Sequence, residues 1–143
     1  AMSFTQVFPQ LTSLTIPEVS TEALVCVCKQ YHQLQPLTIS RPYALTDPAI
    51  TALAQHCPAL QQLFLRGTCG ISDRAIFPLV NHCPGITHLG LSSCCRLSPN
   101  GYAQIITGLK ELYYLSYYTT AGVVFYNTTS TTTGSPIASI TTP

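Results

Sequence analysis

Two adjacent histidine–cysteine pairs, His56-Cys57 and His82-Cys83, carry residue types that bind zinc. Cys26-x-Cys28 and Cys94-Cys95 add further sulfur. A zinc site needs four ligands that converge as a tetrahedron, usually supplied as two paired knuckles. Here the two pairs obey a different rule, because Cys57 and Cys83 stand 26 residues apart within matching sequence. Both are expected as buried apolar positions of a repeat, and neither a metal nor any other cofactor is expected. A thiol enzyme needs an activated thiolate beside a positioned base. His88 is the candidate base, and no cysteine is expected beside it. The five carboxylates are Glu18, Glu22, Asp47, Asp73 and Glu111. Asp47 and Asp73 fall where helix caps are expected, which argues against paired-carboxylate catalysis. Gly-rich phosphate loops are absent. The chain is read as a non-enzyme.

The elements that carry these residues follow from the period. HCPALQQLFL, from His56 to Leu65, recurs as HCPGITHLGL, from His82 to Leu91. The apolar frame L-x-x-L-x-L appears as Leu60-Leu63-Leu65 and as Ile86-Leu89-Leu91. It continues upstream as Leu34-Leu37-Ile39 and downstream as Leu112-Leu115-Tyr117. A shorter step gives Leu11-Leu14-Ile16, with Phe8-Pro9 where Cys57-Pro58 stand. Between the frames lie helical stripes. Ile50, Leu53, Ala54 and Cys57 fall at i, i+3, i+4 and i+7 after Asp47-Pro48. Ile76, Leu79, Val80 and Cys83 repeat this after Asp73, and Tyr102, Ile105, Ile106 and Leu109 after Ser98-Pro99. The earliest copy has Leu24, Val27, Cys28 and Tyr31, with Thr21 as the expected cap. Pro78 predicts a distortion or a shortened first turn in its helix. Pro58 and Pro84 end theirs.

One strand–helix unit cannot bury both of its faces alone. Stacked units share a core, so the fold class is α/β, a solenoid. Short parallel strands should line a concave face, and helices a convex one. Residues 1–118 read as an array of about four to five units, and residues 119–143 as a C-terminal strand-like segment with a Thr/Ser-rich tail. Gly122-Val123-Val124-Phe125-Tyr126 is expected as one more strand. Thr128 to Pro143 alone reads as a flexible tail. Open array ends and low charge point to self-association through the ends.

Composition narrows the partners. Hydrophobic residues make up 46% of the 143, and charged residues only 8%. Net charge is +1 and the basic residues are scattered, so nucleic acid and acidic membrane surfaces are not expected partners. Apolar runs are far short of a membrane span, and the opening lacks a secretory signal. Ala1-Met2 reads as a scar that hides a longer natural N-terminus. The seven cysteines are odd in number and two are fixed by the repeat, so a reducing, intracellular setting is expected, cytoplasmic or nuclear. The sequon Asn127-Thr128-Thr129 would then carry no glycan.

Strand alternation leaves one set of side chains that does not serve the core. These are Pro36, Thr38 and Ser40, then Gln62, Phe64 and Arg66, then His88, Gly90 and Ser92, then Tyr114, Ser116 and Tyr118. Gln62, Phe64, Arg66, His88, Ser92, Tyr114, Ser116 and Tyr118 are the candidate partner-binding residues. Aromatic and arginine side chains are the usual anchors of protein interfaces.

HCPALQQLFLRGTCGISDRAI and HCPGITHLGLSSCCRLSPNGY resemble the cysteine-containing leucine-rich repeats. Ile71-Ser72-Asp73 and Leu45-Thr46-Asp47 match the tail of that family's pattern. Thr68 replaces the cysteine after the strand, although Cys94 keeps it, and Pro99 replaces the last aspartate. The resemblance spans roughly Leu11 to Tyr117. Such repeats form the substrate-receptor part of F-box proteins in cullin-type ubiquitin ligases, and related mitotic-exit regulators. The resemblance therefore implies a protein-interaction scaffold, the substrate-recognition part of a ligase adaptor or a cell-cycle regulator. Val25 to Tyr31 is faintly similar to the end of an F-box but fits the repeat stripe better. Two further readings stand beside this one: a microbial or parasite effector fragment that binds a host protein, and a Cys/His metal or thiol site.

Overall fold

A computed structural model describes residues 11–41, 43–67, 69–92, 96–119, 122–127 and 137–141. The chain is α/β. Strands β1 (Leu14–Ile16), β2 (Pro36–Ile39), β3 (Gln62–Arg66), β4 (His88–Ser92) and β5 (Tyr114–Thr119) are mutually parallel. Helices α1 (Thr21–Gln30), α2 (Asp47–His56), α3 (Asp73–His82) and α4 (Pro99–Gly108) alternate with them. Two antiparallel strands, β6 (Gly122–Asn127) and β7 (Ile137–Thr141), complete one seven-stranded sheet in sequence order.

The register reproduces the period. Leu37, Leu63, Leu89 and Leu115 sit side by side in successive strands. These leucines are fully buried, as are Leu34, Leu60 and Ile86 ahead of the strands. From the helices, Leu24, Ile50, Leu53, Ile76, Leu79 and Ile105 join the same core. Each such side chain contributes roughly 1.5–3 kcal/mol by leaving water. A second ladder runs just before the strands. The Gln61 carbonyl accepts from Thr87 N and His88 N, and the Thr87 carbonyl from Tyr113 N and Tyr114 N. Gln35 serves Gln61 and Gln62 in the same way.

Two expectations are corrected. The N-caps are Ser20, Thr46, Ser72 and Ser98, so Thr21, Asp47 and Asp73 are first helical residues rather than caps. Helix α3 holds Pro78 inside and runs ten residues like the other three, with a tightened first turn: the Ser72 carbonyl accepts from Ala75 N, three residues on, where the Ser20 and Ser98 carbonyls accept from the fourth residue. Residues 137–141 of the Thr/Ser-rich segment form β7 on the sheet, where a flexible tail was expected. The segment beginning at Gly122 is a strand as expected, and it adds to the sheet antiparallel to β5. Phe8-Pro9, Cys94-Cys95 and the Thr128-Thr129 part of the sequon lie outside the described residues.

Candidate functional site

Of the residues with the chemistry for catalysis or metal binding, Cys57, Cys83, Asp47 and Asp73 have structural partners. Cys57 Sγ donates toward the Tyr31 carbonyl at 3.5 Å and the Cys28 carbonyl at 3.8 Å. One period on, Cys83 Sγ donates toward the Cys57 carbonyl at 3.3 Å and the Ala54 carbonyl at 3.6 Å. Each thiol thus answers carbonyls at the end of the preceding helix, where intrahelical donors run out. Cys28, Cys57 and Cys83 are fully buried. Burial, with the nearby Cys57, pushes the Cys83 thiol up to about 12. Within the Cys28–Cys57 pair, the hydrogen bond with Cys57 and then burial push Cys28 far up, and the same bond draws Cys57 down against burial. No group of three or more His, Cys, Asp or Glu able to hold a metal occurs among the described residues.

The two aspartates are also committed. Asp47 Oδ1 accepts from Ser72 N at 2.6 Å, and its Oδ2 from Ser72 Oγ at 2.5 Å. Asp73 Oδ1 accepts from Ser98 N at 2.9 Å, and its Oδ2 from Ser98 Oγ. Each carboxylate therefore grips the N-cap serine of the next helix. The histidines at the helix ends, His56 and His82, are last-turn residues. His32 adds a contact there, with Nδ1 2.9 Å from the His56 carbonyl.

What the framework leaves over is the sheet face turned from the helices. Alternation sends Leu63 and Leu65 into the core and leaves Gln62 and Phe64 half-buried and Arg66 exposed. Phe64 sits beside Gly90 in the register, and Gly90 beside Ser116. Gly90 has no side chain, so the Phe64 ring closes over its strand. A Cβ on Gly90 would meet Phe64 Cδ1 at 2.6 Å. The ring thereby reaches Tyr114 two strands away, at a centroid distance of 6.3 Å and an angle of 52°. In the neighbouring row His88 lies beside Tyr114, and the two rings stack at 6.0 Å and 26°. Tyr113 packs on His88 at 5.5 Å and 38°. Thr87 Oγ1 stands 2.9 Å from His88 Nδ1 and fixes the ring's orientation. Aromatic pairs at such separations contribute about 0.5–1.5 kcal/mol beyond their burial.

The structure thus brings Phe64, His88 and Tyr114 into one cluster, flanked by Gln62 and Arg66. Ser116 is 5% exposed and forms part of the floor beside Gly90. Ser92 ends β4 beside Arg66 in the register, and Tyr118 stands beside Val123 of β6. The sequence reading missed Tyr113, which is 41% exposed and completes the cluster from outside the strand. The Tyr113-Tyr114 doublet was its available signal, since strand alternation ranks only residues within a strand. Thr87 was missed for the same reason.

No protein-family model matches the chain, and no curated protein matches it. No helix among the described residues is long and apolar enough to cross a membrane.

Proposed function

We propose that the chain is a repeat solenoid of the cysteine-containing leucine-rich type, and that it binds another protein through the sheet face around Phe64, His88 and Tyr114. One observation carries the binding reading: an aromatic cluster with an adjacent arginine occupies the face that the core does not use. The solenoid reading is supported by the helix-linked parallel strands in sequence order and by thiol contacts that recur one period apart. A non-enzymatic role is supported by Asp47 and Asp73 being held by serines and by the buried, carbonyl-bonded thiols. The proposed setting is substrate recognition in ubiquitin ligation or cell-cycle control, and this rests on the sequence resemblance alone.

The test is cross-linking from the face itself. A photo-reactive amino acid at Gln62 in the full chain should capture one protein partner in cells. That capture should be lost when Phe64, Arg66 and Tyr114 are all changed to alanine. Retained capture in a triple variant with native circular dichroism overturns the reading.

A further inference from the structure

The sheet presents charge of one sign only. The chain's five carboxylates all lie off the strands. Glu22 is in α1, Asp47 and Asp73 begin α2 and α3, and Glu111 is in the turn before β5. Asp47 and Asp73 are already spent on Ser72 and Ser98. Glu18 follows β1, two strands from Arg66 and so roughly 10 Å away across the sheet. Arg66 is the sole charged residue in any described strand, and it is exposed.

Its spacing from the aromatic cluster is set by the strand. Phe64 and Arg66 point to the same side, about 7 Å apart along β3. Alternate side chains of an extended peptide repeat at the same distance. A peptide lying along β3 can therefore set a large apolar side chain on the Phe64–Tyr114 rings and a carboxylate on Arg66 together. A guanidinium binds a carboxylate through two parallel hydrogen bonds, which fixes the register of such a peptide. Gln62 stands one step further along the same line and offers both a donor and an acceptor to the peptide backbone.

We propose that this face takes an extended acidic segment of a partner protein, in which Glu or Asp stands two residues from a large apolar side chain. The proposal rests on the reading of the face as a protein-binding surface and adds the chemistry of the ligand. Stacked rings and an arginine also suit single-stranded nucleic acid. That occupant needs several cationic contacts to its phosphates, and the described strands supply one, in a chain of net charge +1.

Fluorescence anisotropy on the full chain decides the matter with four labelled probes. They are a decapeptide repeating Leu-Ser-Glu-Ser, which sets Leu and Glu two residues apart on one face, the same peptide with Gln for Glu, the same with Lys for Glu, and a ten-nucleotide oligouridine. The Glu peptide should bind about tenfold tighter than the Gln peptide, the order expected of one charged hydrogen-bonded pair. The Lys peptide should bind most weakly and oligouridine not at all. Arg66→Gln, an exposed change that leaves the core intact, should erase the difference between the Glu and Gln peptides. Phe64→Ala, checked for folding by circular dichroism, should weaken both alike. Equal binding of the Glu and Gln peptides that is still lost in Phe64→Ala overturns the acidic preference and leaves the protein-binding face standing. Absence of binding by every peptide overturns the proposal, while the cross-linking result judges the face separately. Tighter binding of oligouridine, lost in Arg66→Gln, overturns both.

Discussion

Cys83 cannot ionise without giving up its place. Its thiol is fully buried and pushed up to about 12, against 9.0 for the free group. Below pH 9 the thiol is protonated both folded and unfolded, so its contribution to stability is flat. Between pH 9 and about 12 the unfolded chain releases this proton and the folded chain keeps it. Stability should therefore fall as pH rises through that window, by at most about 1.4 kcal/mol per pH unit from this group. Urea midpoints from pH 8 to 11 should show the decline, and Cys83→Ala should flatten part of it. An unchanged slope in that variant refutes the assignment. Brief alkylation at pH 8 should modify exposed Cys26 and spare Cys28, Cys57 and Cys83 until the chain unfolds, as peptide mass spectrometry would show. Gly90 is the matching test on the other side of the sheet. Gly90→Ala forces Phe64 away from its resting place and should cost about 1–3 kcal/mol. The near-ultraviolet circular dichroism of the tyrosine cluster should change with it.

At the scale of the helices, the aspartate–serine clamp is added to ordinary capping, since Ser72 and Ser98 also accept from Arg74 N and Gly101 N. Helix α3 begins at Asp73, and its N-cap Ser72 is gripped by Asp47 from the start of α2. Removing the carboxylate with Asp47→Ala should cost about 1–3 kcal/mol, since it leaves charge-assisted bonds unmade at a partly buried site. Asp47→Ala and Ser72→Ala should be strongly non-additive in urea titrations, and additive effects would mean that the clamp contributes nothing. This arrangement shows where sequence reading stopped. The stripes Ile50-Leu53-Ala54-Cys57 and Ile76-Leu79-Val80-Cys83 were legible because helical periodicity is local, and so were the inward leucines of β3 and β4. Asp47 was misplaced by one position because capping preference looks only at the adjoining turn. Its real partner is 25 residues away, and only the stacking of units brings it near. The face residues were legible from alternation. The closure of Phe64 over Gly90 depends on a missing side chain in another strand and was not.

At the scale of the molecule, β6 and β7 change the direction of the sheet. Five parallel strands give way to an antiparallel pair in which Ser116 meets Phe125 and Tyr114 meets Asn127. Ending the chain after Thr119 should strip β5 of its neighbour and expose its unpaired backbone edge. Light scattering should then show more concentration-dependent association than the full chain gives, and a truncated chain no more associated than the full one would contradict this. The bonds between units also have a polarity. Strand-start amides, capping serines and cysteine thiols all donate to the unit before them, as Thr87 does to Gln61, Ser98 to Asp73 and Cys83 to Cys57. Those bonds run one way, although Thr21 and His32 donate the other way, to the Ala44 and His56 carbonyls. A second copy could repeat those particular bonds only head to tail, the arrangement that grows without limit. The reversed β6 takes the side of β5 where such a copy would have to dock, and so closes that route there.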